Sequence, residues 1–78
     1  MQMRLIVMTR RGVLLAGRWA DNITDEIVEG TKQALRETLG ATGGAYISIE
    51  TEEDIFVVFP RDAVESVSIE IVPDLGEG

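Results

Sequence analysis

The stretch TDEIVEGTKQALRETLG, residues 24–40, decides the fold. Thr24 offers a capping oxygen, and Asp25 and Glu26 suit the positive end of a helix dipole. Ile23 and Val28 stand at the two positions of a hydrophobic staple. Ile27, Val28, Thr31, Ala34, Leu35, Thr38 and Leu39 recur at helical spacing and form one apolar stripe. Gly40 is a natural stop. The spacing predicts a helix over residues 24–39. Gly30 sits inside it at a cost of about 1 kcal/mol relative to Ala, which marks either close approach to a strand or an accident of sequence.

Everything around that helix reads as strand. Upstream, residues 4–9 and 13–20 are two apolar runs joined by Thr9, Arg10, Arg11 and Gly12. This is a β-hairpin, with Gly12 in the left-handed position of a type I turn with a G1 bulge. Gly17 predicts a bulge or bend in the second strand. Downstream, residues 45–51 alternate, with Ile47 and Ile49 inward and Ser48 and Glu50 outward. Residues 55–59 are almost wholly apolar, which predicts a central strand covered on both faces. Pro60 opens a single 3₁₀ turn. Residues 66–72 alternate again, with Val67, Ile69 and Ile71 inward, until Pro73. Residues 41–44 read as a flexible connector.

The order is β-β-α-β-β-β. Short connections make neighbouring strands antiparallel, and the helical stripe needs a sheet to cover. The expected fold is a single α+β domain over residues 1–73: a curled antiparallel sheet or small barrel with one packed helix. Residues 74–78 read as a flexible tail.

Charge is divided unevenly. The first twenty residues carry four arginines and no acid, a net +4, whereas the remainder carries −11 within an overall −7. A 78-residue chain buries a small core. It has no Cys and no His, so disulfides are excluded and only oxygen ligands are left for a metal. Self-association into a homo-oligomer is therefore the expected reinforcement. No apolar run approaches the length of a membrane span, and the N-terminal apolar run lacks a cleavage pattern. A cytoplasmic location follows by default.

The absence of His removes the base from Ser–His and Cys–His nucleophilic catalysis. Glu50, Glu52, Glu53 and Asp54 crowd one turn but lack the pattern of a Ca²⁺-binding loop. The glycine-rich segment at residues 40–44 follows a helix, where phosphate-binding loops precede one. No catalytic residue, metal ligand or cofactor is expected. The remaining enzymatic reading is a hydrolase with only carboxylates and arginines as tools.

That leaves Arg10, Arg11, Arg18 and Arg61, with Trp19 and Tyr46 as the large amphipathic aromatics. Arginine suits carboxylates and phosphates bidentately and stacks on flat rings. These six residues are the candidate ligand-binding set, for a small anion or a protein partner. The net charge disfavours nonspecific nucleic-acid binding, which depends on neutralising phosphates. The expected function is a non-enzymatic binding module. Its Arg-bearing hairpin contacts an anionic ligand or the acidic face of a sister subunit. The alternative is an inhibitor or decoy, with Glu50, Glu52, Glu53 and Asp54 occupying a basic site on another protein.

Residues 55–71 resemble the closing part of SH3-like and Sm-like small barrels. There a strand enters a 3₁₀ turn, often opened by Pro, and a final strand follows. The resemblance implies a small curled sheet. It carries over no RNA-contacting residue, because the Sm family's N-terminal helix and RNA motifs are missing here. The chain's small size, acidity and preference for Arg over Lys are also similar to accessory proteins encoded by bacteriophages. That likeness implies action in a host cytoplasm.

Overall fold

A computed structural model describes residues 1–40 and 45–73. The predicted connector at 41–44 and tail at 74–78 lie outside the described residues. The chain forms an α+β fold; the described residues make five strands in two antiparallel sheets and no closed barrel. Strands β1 (Gln2–Thr9), β2 (Leu14–Ala16) and β5 (Val64–Val72) make one sheet in the order β2-β1-β5. Strands β3 (Tyr46–Glu50) and β4 (Phe56–Pro60) make the other. Helix α1 (Asp25–Gly40) lies between β2 and β3 in the chain, and a 3₁₀ turn (Arg61–Ala63) joins β4 to β5.

The local signals account for most of these elements. Thr24 caps α1, its Oγ1 accepting from the Ile27 amide at 3.2 Å. Gly12 adopts φ +87°. Its amide donates to the Thr9 carbonyl, and the Thr9 amide donates to that of Val13, both at 2.9 Å. These bonds close the type I turn with its G1 bulge. Ile47 and Ile49 are buried, and they pack with Val7, Phe59 and Val64 as the core. Among the described residues only Val7 is completely enclosed, so the core is thin.

Gly17 turns the corner between the sheets. Its amide donates to the Leu5 carbonyl at 2.7 Å, while the next amide, of Arg18, donates to the Glu50 carbonyl of β3 at 2.7 Å. The second strand then returns to β1 through a bridge between Ala20 and Met3. Between these contacts β1 has one residue, Arg4, and the opposing segment has two, Arg18 and Trp19. This is a β-bulge, and it bends the strand as bulges do. The regular strand expected over 13–20 therefore stops at Ala16.

One further expectation is corrected, and one of the two readings of Gly30 is set aside. The strand at 55–59 is not covered on both faces. β4 is an edge strand, paired with β3 alone among the described residues, and Phe56 and Val58 are 66% and 49% exposed. The reason is the position of α1, whose stripe faces Leu5, Tyr46, Ile47 and Ser48 across a gap of about 400 Å³. The helix stands beside Tyr46 and Ser48 without burying them and does not reach the outer face of β4. Nor does Gly30 mark close approach to a strand: a Cβ built there meets nothing within 4 Å. The stripe is only partly covered; Val28 is buried, while Ile27 is exposed.

Candidate functional site

The two hairpins end in the same turn with opposite charges. In the first, the Thr9 Oγ1 accepts from the Val13 amide at 3.1 Å. In the second, the Thr51 Oγ1 accepts from the Ile55 amide at 3.3 Å. The Thr51 amide donates to the Ile55 carbonyl at 2.9 Å, and the Asp54 amide donates to the Thr51 carbonyl at 3.0 Å. Asp54 has φ +62° and fills the left-handed place that Gly12 holds in the first turn. The two residues between are Arg10 and Arg11 at one tip, Glu52 and Glu53 at the other.

The tips lie at opposite ends of β4. The Arg10 amide donates to the Ala63 carbonyl at 3.0 Å, which ties the basic tip to the 3₁₀ turn after Pro60. The acidic turn precedes Phe56. Five residues of strand separate them by about 17 Å.

Behind the basic tip is a groove of about 480 Å³, lined by Thr9, Arg10, Arg11, Val13, Leu15, Phe59 and Ala63. Its floor is apolar, from β2, β4 and the 3₁₀ turn. Arg10 and Arg11 supply its basic lining. Among the described residues neither forms an ion pair, although the other arginines of the first twenty residues do: Arg4 pairs with Glu70 at 2.8 Å and Arg18 with Asp54. Among the described residues Arg36 and Arg61 form no ion pair either; what sets Arg10 and Arg11 apart is that they share this groove.

The other candidates are placed separately. The Arg18 guanidinium donates to the Asp54 carboxylate and, at 3.1 Å, to the Thr51 carbonyl. The hydrogen bond and charge of Asp54 raise the Arg18 pKa, aided by Glu50 and Glu52. Arg18 also shares a depression of about 310 Å³ with Trp19 and Glu50. Trp19 is half-buried beneath Arg4, whose guanidinium carbon lies 4.4 Å from the ring centroid, within cation–π range. The Trp19 amide donates to the Glu52 carboxylate at 3.3 Å. Tyr46 is exposed on the outer face of β3, beside α1. The Arg61 Nε donates to the Leu39 carbonyl at 2.6 Å, where it satisfies the C-terminal turn of the helix.

Thus Arg10 and Arg11 share a site, Arg18 and Trp19 share the bulge, and Tyr46 and Arg61, neighbours across the β3–β4 ladder, line neither. The groove floor escaped the sequence reading, because Leu15 and Phe59 look like ordinary core residues until the hairpin and β4 are placed side by side. Among the described residues no group of three or more acids is arranged to hold a metal ion, and no helix is long and apolar enough to cross a membrane. A depression of about 820 Å³ near Met1 and Val72 has one acid in its lining, Asp21, which already accepts from Gln2. In comparisons with known proteins the chain matches no family model, no curated protein and no solved structure.

Proposed function

We propose that this chain is a non-enzymatic binding module that takes an anionic group carried on an apolar body. Arg10 and Arg11 engage the charge, and the groove behind them takes the body. The observation that carries this reading is the pair of adjacent arginines in the lining of an apolar groove.

Magnitudes favour such a ligand over a bare anion. An exposed ion pair contributes about 0–1 kcal/mol, too little to hold an inorganic ion. Each buried CH₂ adds about 0.8 kcal/mol. A short acyl carboxylate burying four or five of them gains roughly 3–4 kcal/mol beyond the charge, which a bare ion lacks when set against the cost of association.

The test is a titration of ¹⁵N-labelled protein with sodium octanoate. Shifts concentrated at Arg10, Arg11, Val13, Leu15, Phe59 and Ala63 support the reading. Shifts centred on Tyr46 and α1, or none at millimolar octanoate, reject it.

A further inference from the structure

β4 has an open edge, and the hydrogen bonds at its ends identify which groups lie on it. The Thr51 amide bonds the Ile55 carbonyl, and the Arg61 amide bonds the Ala45 carbonyl. In an antiparallel ladder, facing residues exchange bonds at every second position. Ile55, Val57, Phe59 and Arg61 therefore direct their backbone toward β3. The amides and carbonyls of Phe56 and Val58 point the other way, and no other strand meets them among the described residues.

Exposed edges are ordinarily blunted by charge, shortness or cover. β5 carries Glu65 and Glu70, β2 has three residues, and β3 is flanked by α1 and Arg18. β4 has no charged residue. Its only such device is Pro60, which removes one donor at the strand's end. Phe56, Val58 and Tyr46 are exposed on one face of the β3-β4 sheet. Pairing along the β4 edge sets Phe56 and Val58 against a facing strand and leaves the rest of that face open, so the contact is carried by the backbone ladder and is smaller than the roughly 1,000 Å² of a stable interface.

We infer that β4 pairs antiparallel with β4 of a second copy, across a two-fold axis at Val58. Val58 exchanges both hydrogen bonds with its equivalent, and the Phe56 amide reaches the Pro60 carbonyl of the second copy. Pro60, lacking an amide, gives nothing back, so the ladder forfeits one bond at each end. The sheet becomes β3-β4-β4-β3. Charge selects this direction. Antiparallel pairing sets the acidic turn of each copy beside the basic end of the other. That end carries Arg10, Arg11 and Arg61 against Asp62 and Glu65. Parallel pairing would set like beside like. The inference sharpens the expected self-association and does not depend on what the groove binds.

The test is sedimentation equilibrium of the full chain at about 0.15 M salt, where charges beyond about 8 Å are screened. Amide hydrogen exchange is measured alongside, at micromolar and millimolar protein. A dimer in which the Phe56 and Val58 amides slow about tenfold or more with concentration, while Val57 and Phe59 stay protected throughout, supports the proposal. A monomer up to millimolar concentration overturns it. So does a larger closed ring, or a dimer whose Phe56 and Val58 amides exchange freely. Val58→Lys places a charge on the axis and gives a monomer with Val57 and Phe59 still protected. A Val58→Lys protein that still dimerises contradicts the proposal. Should that variant unfold, the wild-type exchange pattern decides alone. Octanoate binding fails or succeeds separately from either result.

Discussion

Thr9 and Thr51 hold the same place in two copies of one turn, each hydroxyl accepting from the amide four residues on, at 3.1 and 3.3 Å. Their surroundings differ. Thr51 is buried, and its Oγ1 also accepts from the Glu53 amide at 3.3 Å. Thr9 is half-buried and serves one amide. An unsatisfied buried polar group costs about 1–3 kcal/mol. Thr51→Val is therefore expected to cost about 2 kcal/mol and Thr9→Val about 0.5 kcal/mol. Urea unfolding at fixed protein concentration measures both, and equal losses would contradict the assignment.

Gly17 is confined by the carbonyl its own amide bonds. A Cβ there would lie 3.2 Å from the Leu5 oxygen and 3.7 Å from the Ile49 Cβ. Leu5 belongs to β1, which is paired on both sides, so it has little room to give. Gly17→Ala is expected to lower stability by about 1 kcal/mol, and Gly17→Val by roughly 2–3 kcal/mol. The denaturation midpoint of the two variants gives the order.

The opposite sign is expected at Gly30. It is helical, and an added Cβ meets nothing within 4 Å. Gly30→Ala should gain about 0.8–1 kcal/mol from helix propensity. A domain of this size would then melt about 4–8 °C higher. A fall in melting temperature would show that the gap beneath α1 is smaller than described.

Gly12 has φ +87°, which a side chain resists. Gly12→Ala is expected to cost about 1–2 kcal/mol, although nothing crowds the site. Arg10→Ala and Arg11→Ala should change stability by less than about 0.5 kcal/mol. Thermal melts of the three proteins would separate a residue that shapes the tip from two that decorate it.

How much was legible follows from the range of each signal. The Gly12 turn, the Thr24 cap, the alternation at Ile47 and Ile49 and the 3₁₀ turn after Pro60 are built from residues within a few positions of one another, and all were read correctly. The bulge at Arg18 and Trp19 depends on β3 reaching back to take the Arg18 amide. The bareness of β4 depends on where α1 settles. Neither is a local property. A wholly apolar strand such as 55–59 looks the same whether a helix covers it or nothing does. The charge division pointed to Arg10 and Arg11, but their groove required Phe59 and Leu15 to be brought together by the fold.

The central claim is that Arg10 and Arg11 recognise a charge while the groove behind them takes an apolar body. Its most direct measurement is the affinity ratio of octanoate to octan-1-ol, for the wild-type protein and for the Arg10→Ala/Arg11→Ala double variant. The wild type is expected to prefer octanoate by roughly threefold to tenfold, the worth of two exposed charge contacts. The double variant should bind both alike, at the affinity the wild type shows for the alcohol. Equal affinities in the wild type, or an octanoate preference that survives the double substitution, would contradict the claim.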